Sequence, residues 1–300
     1  MTSKIAILTH ERQQFESVSY LLHPLLSLWA KSGIEIVVLR GPKHYEPADA
    51  LFMHIDLTVI PEEYEHFSQR YPVVINGLVK DISKRHISTL ILGRKDNYQG
   101  PVLVKTNRNF GGGMEKRLVR RTPFSRLAKK LQKRLPWYWK KHLSPDNYPI
   151  FSGPGQVPKP VWWNRHLVVE KFLPEREGNH FALRQWVFFG DREMSQRVVS
   201  PNPIVKARNI LSRETGIAIP DDLRKRRKDL GFDYGKFDFV QIDGQTILLD
   251  ANRTPSFNIR TPTPAQAAML EHLAAGVFAY LPSRDRFTPV QDNAGREDRS

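Results

Sequence analysis

Cysteine is absent from the 300-residue chain, and its absence excludes several classes of protein at once. A chain without a thiol has no disulfide framework, no thiolate-ligated zinc or iron–sulfur centre and no cysteine nucleophile. Long apolar runs are also missing, because no stretch approaches the roughly 20 residues that cross a bilayer as a helix. The opening segment MTSKIAILTHE predicts a β-strand rather than a signal peptide, so we expect a cytoplasmic protein.

Two familiar site patterns are missing as well. The residues after the first predicted strand are THERQQ, so the glycine fingerprint of a dinucleotide site is absent and no NAD is expected there. The ten histidines show no HxxxH spacing that would suit a metal. We therefore expect His10 and His54 to be polar surface residues rather than ligands.

Acidic residues are scarce in one segment of a chain whose composition is otherwise that of a globular protein. Between Arg108 and Pro145 there are twelve Lys and Arg residues and one acid, Glu115, which places +11 of the net charge of +15 there. This concentration predicts a cationic insert at 108–145 on a nearly neutral body. Apolar residues at helical spacing predict one amphipathic helix inside the insert, with Phe124, Leu127, Leu131 and Leu135 on one face.

The hydrophobic pattern predicts strands and helices in a mixed α/β arrangement. A strand at Lys4–Thr9, a helix that ends at Gly33 and a strand at Ile34–Leu39 indicate a parallel, Rossmann-like opening unit. Helices are predicted over 82–92 and 265–280, and the polar tail at 283–300 is expected to be mobile. Further strands are predicted at 57–60, 73–75, 101–105, 167–171, 184–189, 196–200, 237–242 and 246–250.

One segment carries groups that suit a polyphosphate. Lys105 ends an apolar strand, and the glycine-rich loop TNRNFGGG follows it. Gly111, Gly112 and Gly113 would let backbone N–H groups approach phosphate oxygens closely, while the lysine supplies positive charge. Taken alone, the segment is equally compatible with a flexible surface loop.

A second segment, LVVEKFLPEREG, carries groups that suit a nucleoside. The strand ends at Glu170 and Lys171, and the residues up to Leu173 offer an apolar slot with backbone donors and acceptors for an adenine ring. Glu177 can accept hydrogen bonds from ribose hydroxyls. Arg184, at the start of a later strand, can reach a terminal phosphate or a substrate carboxylate, or it can be a solvated strand end.

The most specific segment is KFDFVQIDGQTILLDANRTPS, which predicts a hairpin turning at Asp243 and Gly244. Asp238 lies on its first strand, and Asp250 and Asn252 lie on one face of the second. Two carboxylates and an amide oxygen are the ligands that Mg²⁺ prefers when phosphates supply the rest. The alternative is that the Asp-Ala-Asn triplet is turn chemistry.

In their order along the chain, these segments resemble the ATP-grasp superfamily, over roughly residues 73–280. The Glu170–Leu173 stretch is similar to the adenine hinge of the D-alanine ligases. Asp238, Asp250 and Asn252 resemble the metal triad, with D-x-N in place of the usual E-x-N, which puts full occupancy by two Mg²⁺ ions in doubt. Lys84 resembles the first phosphate-contacting lysine, with Lys80 as a nearby competitor.

The resemblance implies a Rossmann-like pre-ATP-grasp domain at 1–72, a two-lobed ATP-grasp domain at 73–282 and a lid that includes the cationic insert. It implies binding of ATP and Mg²⁺, with Lys84 and Lys105 on the α- and β-phosphates and Arg184 on the γ-phosphate or an oxyanion. The activity implied is a ligase that joins a small-molecule or peptide carboxylate to an amine or thiol through an acyl-phosphate.

Other functions stay open at this level. The same residues would serve a phosphotransferase that acts on a hydroxyl, and the basic insert would serve a nucleic-acid-binding or membrane-binding module or dock an acidic, polymeric partner. Side chains that can face a substrate or equally be solvated are Arg208, Asn209, Arg253, Asn258 and Arg260. The sequence does not indicate an oligomeric state.

Overall fold

The computed structural model describes residues 2–118, 134–144, 148–259 and 261–282. Most of the amphipathic helix predicted inside the insert, the polar tail and Arg260 lie outside the described residues. The described elements are a mixture of helices and strands, as the sequence predicts, and the strands form three separate sheets.

The first sheet is parallel and has four strands in the spatial order β2-β1-β3-β4. Five of the six residues of β1 are buried, which is typical of a parallel strand covered on both faces. The strand β4 belongs to this sheet although it follows the predicted domain boundary at residue 72. The bounds are β1 Lys4–Thr9, β2 Glu35–Arg40, β3 Ala50–Met53 and β4 Val74–Ile75.

Helix α1 (Leu22–Lys31) covers one face of this sheet and also contacts the C-terminal helix α6 (Pro264–Ala274). The indole nitrogen of Trp29 donates to the carbonyl of Ala274 at 2.9 Å. Gly33 ends the turn after α1 with a φ of +77°, a conformation that glycine adopts without strain. The first and last described helices are therefore packed into one core.

The other two sheets are antiparallel and carry the candidate site between them. The smaller one has the order β6-β5-β7, with β5 Val102–Thr106, β6 Ile150–Phe151 and β7 Leu167–Lys171. The larger one has the order β11-β10-β9-β12-β13, and β8 pairs with β9. Its bounds are β8 Glu175–Glu177, β9 His180–Phe189, β10 Arg192–Ser200, β11 Ser212–Thr215, β12 Tyr234–Ile242 and β13 Gln245–Asn252.

The hairpin between β12 and β13 turns at the predicted residues. Asp243 and Gly244 have φ values of +49° and +75°, which is the conformation of a two-residue type I′ turn. Asp238 stands directly opposite Asp250 in the register. The predicted alignment of the two carboxylates across the hairpin is therefore present in the structure.

Short helices occupy the connections. They are α2 Glu62–Ser68, α3 Lys84–Ile87, α4 Gly113–Leu118 and α5 Asp221–Asp229. The helix predicted over 82–92 is wrong beyond Ile87, because the chain extends from Ser88 and its next residues bond to β7. The amide of Leu92 donates to the carbonyl of Val169 at 2.8 Å, a bond that a helix would forbid.

Three further predictions need correction. The strand predicted at 57–60 is a loop, and the strand of that region is β3, which pairs with β1. The closing helix is α-helical only to Ala274 and continues as a 3-10 helix to Tyr280. His54 is fully buried rather than exposed, and burial lowers its pKa to about 3, so it is a neutral core residue at neutral pH. No described helix is long and apolar enough to cross a membrane.

We expect Gly276→Ala to destabilise the fold, because a Cβ there would lie 2.1 Å from the carbonyl oxygen of Phe189. Overpacking of this kind costs about 2 kcal/mol. Urea denaturation should show a lower midpoint with an unchanged slope. The matched control is Gly155→Ala, which also lies in a 3-10 helix but would contact nothing within 4 Å. Equal stability of the two variants would contradict the packing described here.

Candidate functional site

A buried ion pair joins β5 to β7 at the position predicted for a nucleotide. The ammonium of Lys105 lies 2.8 Å from Oε2 of Glu170, and both side chains are largely shielded from solvent. The antiparallel register places Glu170 opposite Leu103, so that Lys105 is its diagonal neighbour on the same face. Burial alone would lower the pKa of Lys105, but the Glu170 carboxylate outweighs this effect and raises it. The lysine is therefore a fixed positive charge.

The carboxylate of Glu170 has one oxygen without a hydrogen-bond donor among the described residues. Its side chain is 2% exposed, and Oε1 has no hydrogen-bond partner among the described residues. A buried carboxylate oxygen without a partner is costly, which indicates that the site is completed by a ligand or a water that donates to it. The nucleotide predicted from the sequence would supply such donors through its amino and hydroxyl groups.

A second pair, between Lys84 and Asp250, joins α3 to β13. Lys84 lies at the start of α3 and is only 3% exposed, and its ammonium contacts Oδ1 of Asp250. Burial would raise the pKa of Asp250, but the charges of Lys84 and then Lys105 hold it below its usual value. Two lysines and two carboxylates, from two sheets and helix α3, are thus brought into one electrostatic cluster.

One half-buried face of the β12–β13 hairpin carries the predicted metal ligands and one further residue, Lys236, which the sequence reasoning missed. Lys236 stands opposite Asn252, as Asp238 stands opposite Asp250. The ammonium of Lys236 lies 3.1 Å from Oδ1 of Asp238, which also accepts from Gln185 at 2.9 Å. The period of two along β12 puts Lys236 on the face of Asp238, so its presence there could have been predicted from the sequence.

These donors suit a hard cation only in part. Among the residues that the structure describes, no group of three or more His, Cys, Asp or Glu side chains is placed to hold a metal. Asp238, Asp250 and Asn252 supply two carboxylates and one amide oxygen, and Asn252 Oδ1 already accepts from Thr254 at 2.9 Å. Such a set matches Mg²⁺ chemistry when phosphate oxygens complete the coordination.

The glycine-rich loop after β5 folds into a tight arch. Phe110, Gly111 and Gly112 have successive φ values of +45°, +65° and +75°. A Cβ on Gly112 would lie 2.4 Å from Nδ1 of His142, so only glycine fits there. The loop is anchored to the loop after β3, because the amide of Asn109 donates to the hydroxyl of Thr58 at 2.9 Å. Gly113 begins helix α4.

The predicted adenine hinge follows β7 closely. The amide of Lys171 donates to the carbonyl of Leu90 at 2.9 Å, and the amide of Phe172 donates to the carbonyl of Pro101 at 2.8 Å. Leu173 packs beside Leu90 in a small apolar cluster between the two antiparallel sheets. The segment from Glu170 to Leu173 is therefore held by backbone hydrogen bonds along an apolar edge. It begins on β7 and continues directly beyond the end of that strand.

Arg184 and Glu177 lie in a separate ion-pair network on β8, β9 and β10. Arg184 donates to both oxygens of Glu175, with a shortest distance of 2.9 Å. Arg197 joins Glu175 to Glu177 across the strands. Glu175 holds its charge, because the two arginines and the Gln241 amide outweigh burial and lower its pKa. The structure thus gives Arg184 and Glu177 protein partners and does not bring them into contact with the lysine cluster.

Tyr148 is a residue of the cluster that no sequence motif indicates. Burial raises its pKa to about 12, and the nearby charge of Asp250 adds to this effect. It hydrogen-bonds with Thr106 at the end of β5. Its position depends on how the chain returns from the insert, which local sequence does not encode.

Comparison with known proteins identifies the fold. No family model matches the sequence, and no curated protein matches it either. The solved structure of the ATP-grasp ligase PsnB, complexed with a phosphomimetic variant of its minimal precursor, Mg and ADP, aligns with a TM-score of 0.50 at 8% identity, covering 93% of this chain and 98% of that one. The chain therefore has the ATP-grasp fold.

Two other solved structures align over similar lengths. A RimK domain ATP-grasp protein from Sphaerobacter thermophilus has a TM-score of 0.49 at 12% identity, with 92% of this chain and 100% of that chain covered. A D-alanine–D-alanine ligase from Bacillus anthracis has a TM-score of 0.45 at 13% identity, with 93% and 96% covered.

We expect Asp250→Asn to destabilise the folded protein by about 2 kcal/mol at neutral pH, because it leaves the buried Lys84 ammonium without a counter-charge. The Asp250 carboxylate is about a third exposed, which places this value below the cost of breaking a fully buried pair. The control is Asp243→Asn, an exposed position in the same hairpin whose backbone conformation asparagine accepts.

The same variant should change the pH dependence of stability. Since the pKa of Asp250 is lowered on folding, its contribution is complete above about pH 4, the usual aspartate pKa, and is lost as the pH falls through the lower folded value. Chemical denaturation between about pH 6 and pH 2.5 should therefore show a shallower decline for Asp250→Asn than for the unmodified protein. Parallel curves would contradict the assigned charge state.

Proposed function

We propose that this protein is an ATP- and Mg²⁺-dependent ligase that joins a carboxylate to an amine or thiol. The observation that carries the proposal is the cluster in which Lys84 pairs with Asp250 and Lys105 pairs with Glu170 on an ATP-grasp fold. Two shielded lysines and a glycine-rich loop that follows the strand of Lys105 are suited to a polyphosphate, which needs fixed positive charge and close backbone approach. PsnB, on the same fold, is described as an ATP-grasp ligase.

The residues present fit the groups that the proposal requires. The orphaned Oε1 of Glu170 and the rigid edge through Leu173 would hold the nucleoside, and Lys105 and Lys84 would hold phosphates. Asp238 and Asp250 with Asn252 would hold Mg²⁺. When bound, ATP supplies the phosphoryl group that activates a carboxylate, and Mg²⁺ offsets the charge on the phosphates.

The work of the chain's own residues in this proposal is binding and orientation. Lys84 would bind phosphate oxygens in place of Asp250, whose carboxylate would then be available to hold Mg²⁺. The glycine arch would exclude water above the phosphates. Arg184 remains a candidate to bind the γ-phosphate or an oxyanion. To do so it would have to break its ion pair with Glu175. We assign the first sheet to the pre-ATP-grasp domain, with its boundary after β4 at Ile75 rather than at residue 72, and the residues from there to 282 to the nucleotide-binding part.

Titration calorimetry with Mg-ATP tests the proposal directly. We expect binding to the full chain, and we expect Lys105→Met to weaken it at least tenfold, because a charge-assisted contact to phosphate is lost. Absence of Mg-ATP binding to folded protein would overturn the proposal.

The Lys105→Met variant leaves Glu170 buried without a counter-charge and can therefore fail to fold, so a double variant is tested beside it. Lys105→Met combined with Glu170→Gln removes the pair together and should fold while still binding Mg-ATP weakly. The matched control is Lys225→Met, an exposed lysine on α5 that should bind as the unmodified protein does.

The product identifies the reaction class. The chain is incubated with Mg-ATP and a panel of amino acids, small carboxylates and peptides, and the products are followed by phosphorus NMR and mass spectrometry. We expect free phosphate, ADP and a condensed product. A phosphorylated hydroxyl acceptor would instead identify a phosphotransferase. Binding of nucleic acid or anionic vesicles that survives Asp250→Ala, without any ATP turnover, would favour a binding module.

A further inference from the structure

Two short 3-10 helices cover the outer face of the smaller antiparallel sheet and take no part in the site described above. They are Trp137–Trp139 and Lys159–Trp163, which contact each other. Beneath them lie Val102 and Val104 of β5, whereas Lys105 faces the other side of the sheet, because side chains alternate along a strand. A molecule bound on the outer side of these helices would therefore lie away from the lysine cluster.

A side-chain bridge fixes the two 3-10 helices to each other. The amide nitrogen of Asn164 donates to the carbonyl of Tyr138 at 3.0 Å and to that of Lys140 at 3.2 Å. These two carbonyls flank Trp139, and Asn164 directly follows Trp163. The backbones of the two tryptophans therefore lie next to each other.

The rings of these two tryptophans are exposed to solvent. Trp139 is 52% exposed and Trp163 is 70% exposed, whereas Trp137 and Trp162 pack into the apolar layer beneath them. Keeping two large, neighbouring apolar rings in water is unfavourable, and such patches mark places where a protein contacts something less polar than water. We call Trp139 and Trp163 the tryptophan patch.

The surroundings of the tryptophan patch are strongly cationic. The segments 93–100, 134–144 and 159–166 contain seven Lys and Arg residues and a single acid, Asp96, which accepts from the amide of Gly93 at 2.8 Å. None of the seven forms an ion pair with another described residue. The seven are Arg94, Lys95, Arg134, Lys140, Lys141, Lys159 and Arg165. The surface therefore attracts a partner that is both anionic and apolar.

Two polyanions suit exposed aromatic rings among cations, namely single-stranded nucleic acid and an anionic lipid bilayer. Nucleic acid stacks its bases on open ring faces, but one face of Trp163 is already covered by the Arg94 guanidinium, which lies 5.2 Å from a ring centroid. A tryptophan at a bilayer interface needs no free face, because the whole amphipathic ring lies at the level of the headgroups. Leu135 adds an exposed aliphatic side chain, which suits acyl chains rather than bases.

We propose that this surface docks the protein on an anionic lipid bilayer, with Trp139 and Trp163 at the headgroup boundary and the surrounding lysines and arginines on lipid phosphates. The Asn164 bridge holds both rings in place before docking, so that little ordering is needed on binding. Since the surface lies on the face of the sheet away from Lys105, the docked protein keeps its lysine cluster open. The inference does not depend on the proposed function.

Vesicle flotation with the full chain tests the docking. Phosphatidylcholine vesicles are compared with vesicles that also contain about a third phosphatidylglycerol. We expect the anionic vesicles to bind about tenfold more tightly than the neutral ones, and this binding to weaken about tenfold between about 0.1 M and 0.5 M salt, because salt screens the lysines and arginines. Equal binding of both vesicles, or binding of neither, would overturn the proposal.

Insertion of the rings is measured separately. Lipids with brominated acyl chains quench tryptophan fluorescence only when the rings reach the acyl boundary. We expect quenching for the unmodified chain, and we expect Trp139→Ala combined with Trp163→Ala to lose it and to bind about tenfold more weakly, since two rings no longer leave water. Phe278→Ala is the matched control, because Phe278 is 53% exposed elsewhere on the protein. Urea midpoints confirm that all variants are folded.

A second pair of substitutions tests the charges without touching the rings. Lys140→Gln combined with Lys141→Gln should weaken binding to the anionic vesicles about tenfold and reduce its salt dependence, while the bound fraction is still quenched. The matched control is Lys225→Gln combined with Lys228→Gln, two exposed lysines of α5. Equal losses in the two lysine pairs would show that net charge alone attracts the vesicles and would overturn the assigned surface.

Other occupants give different results. If a single-stranded oligonucleotide binds in place of the vesicles and the tryptophan variant abolishes this binding, the surface is a nucleic-acid site and the proposal is overturned. A dimer in sedimentation velocity that the tryptophan variant dissociates, without vesicle binding, would overturn it in favour of a second copy of the chain. If vesicles bind as expected and Mg-ATP does not, this inference stands and the proposed function fails, and the reverse result has the reverse meaning.

Discussion

The arrangement of the site depends on one buried guanidinium, that of Arg253. This side chain is fully buried, and it donates to the carbonyls of Ile55 at 3.2 Å and Thr58 at 3.1 Å, as well as to those of Leu57 and Val79. Burial lowers its pKa to about 10, so it stays charged at neutral pH. A buried cation is tolerated only when its donors are satisfied, and here backbone carbonyls satisfy them.

The consequence is geometric. Arg253 follows Asn252 at the end of the β12–β13 hairpin, and its acceptors lie in the loop after β3 and in the segment before α3. It thereby fixes Thr58, which holds the glycine-rich loop through Asn109. This single side chain therefore fixes the positions of the first sheet, the glycine-rich loop and the β12–β13 hairpin relative to one another.

The sequence predicted most of the strands and several of the site contacts because these depend on local periodicity. The hairpin and its turn at Asp243 followed from the sequence, and the turn sets the register as far as Phe239, which stands opposite Leu248. That register alone would place Asp238 opposite Leu249, and an irregularity between Asp238 and Phe239 shifts the pairing so that Asp238 stands opposite Asp250. Predictions failed where tertiary pairing overrode local pattern. Residues 57–60 are apolar enough for a strand, but β1 pairs with residues 50–53, and the later residues instead supply carbonyls to Arg253.

The sequence by itself determined the chemistry available. It supplies one lysine near a strand end and one at a helix start, a glycine run, and two carboxylates and an amide on the β12–β13 hairpin. It also determined the ATP-grasp fold, since the order of these segments followed the chain. Only the tertiary structure decided which charges meet. Lys84 pairs with Asp250, 166 positions away, while Arg184 is held by Glu175, because such partners are chosen by packing between sheets and not by spacing along the chain.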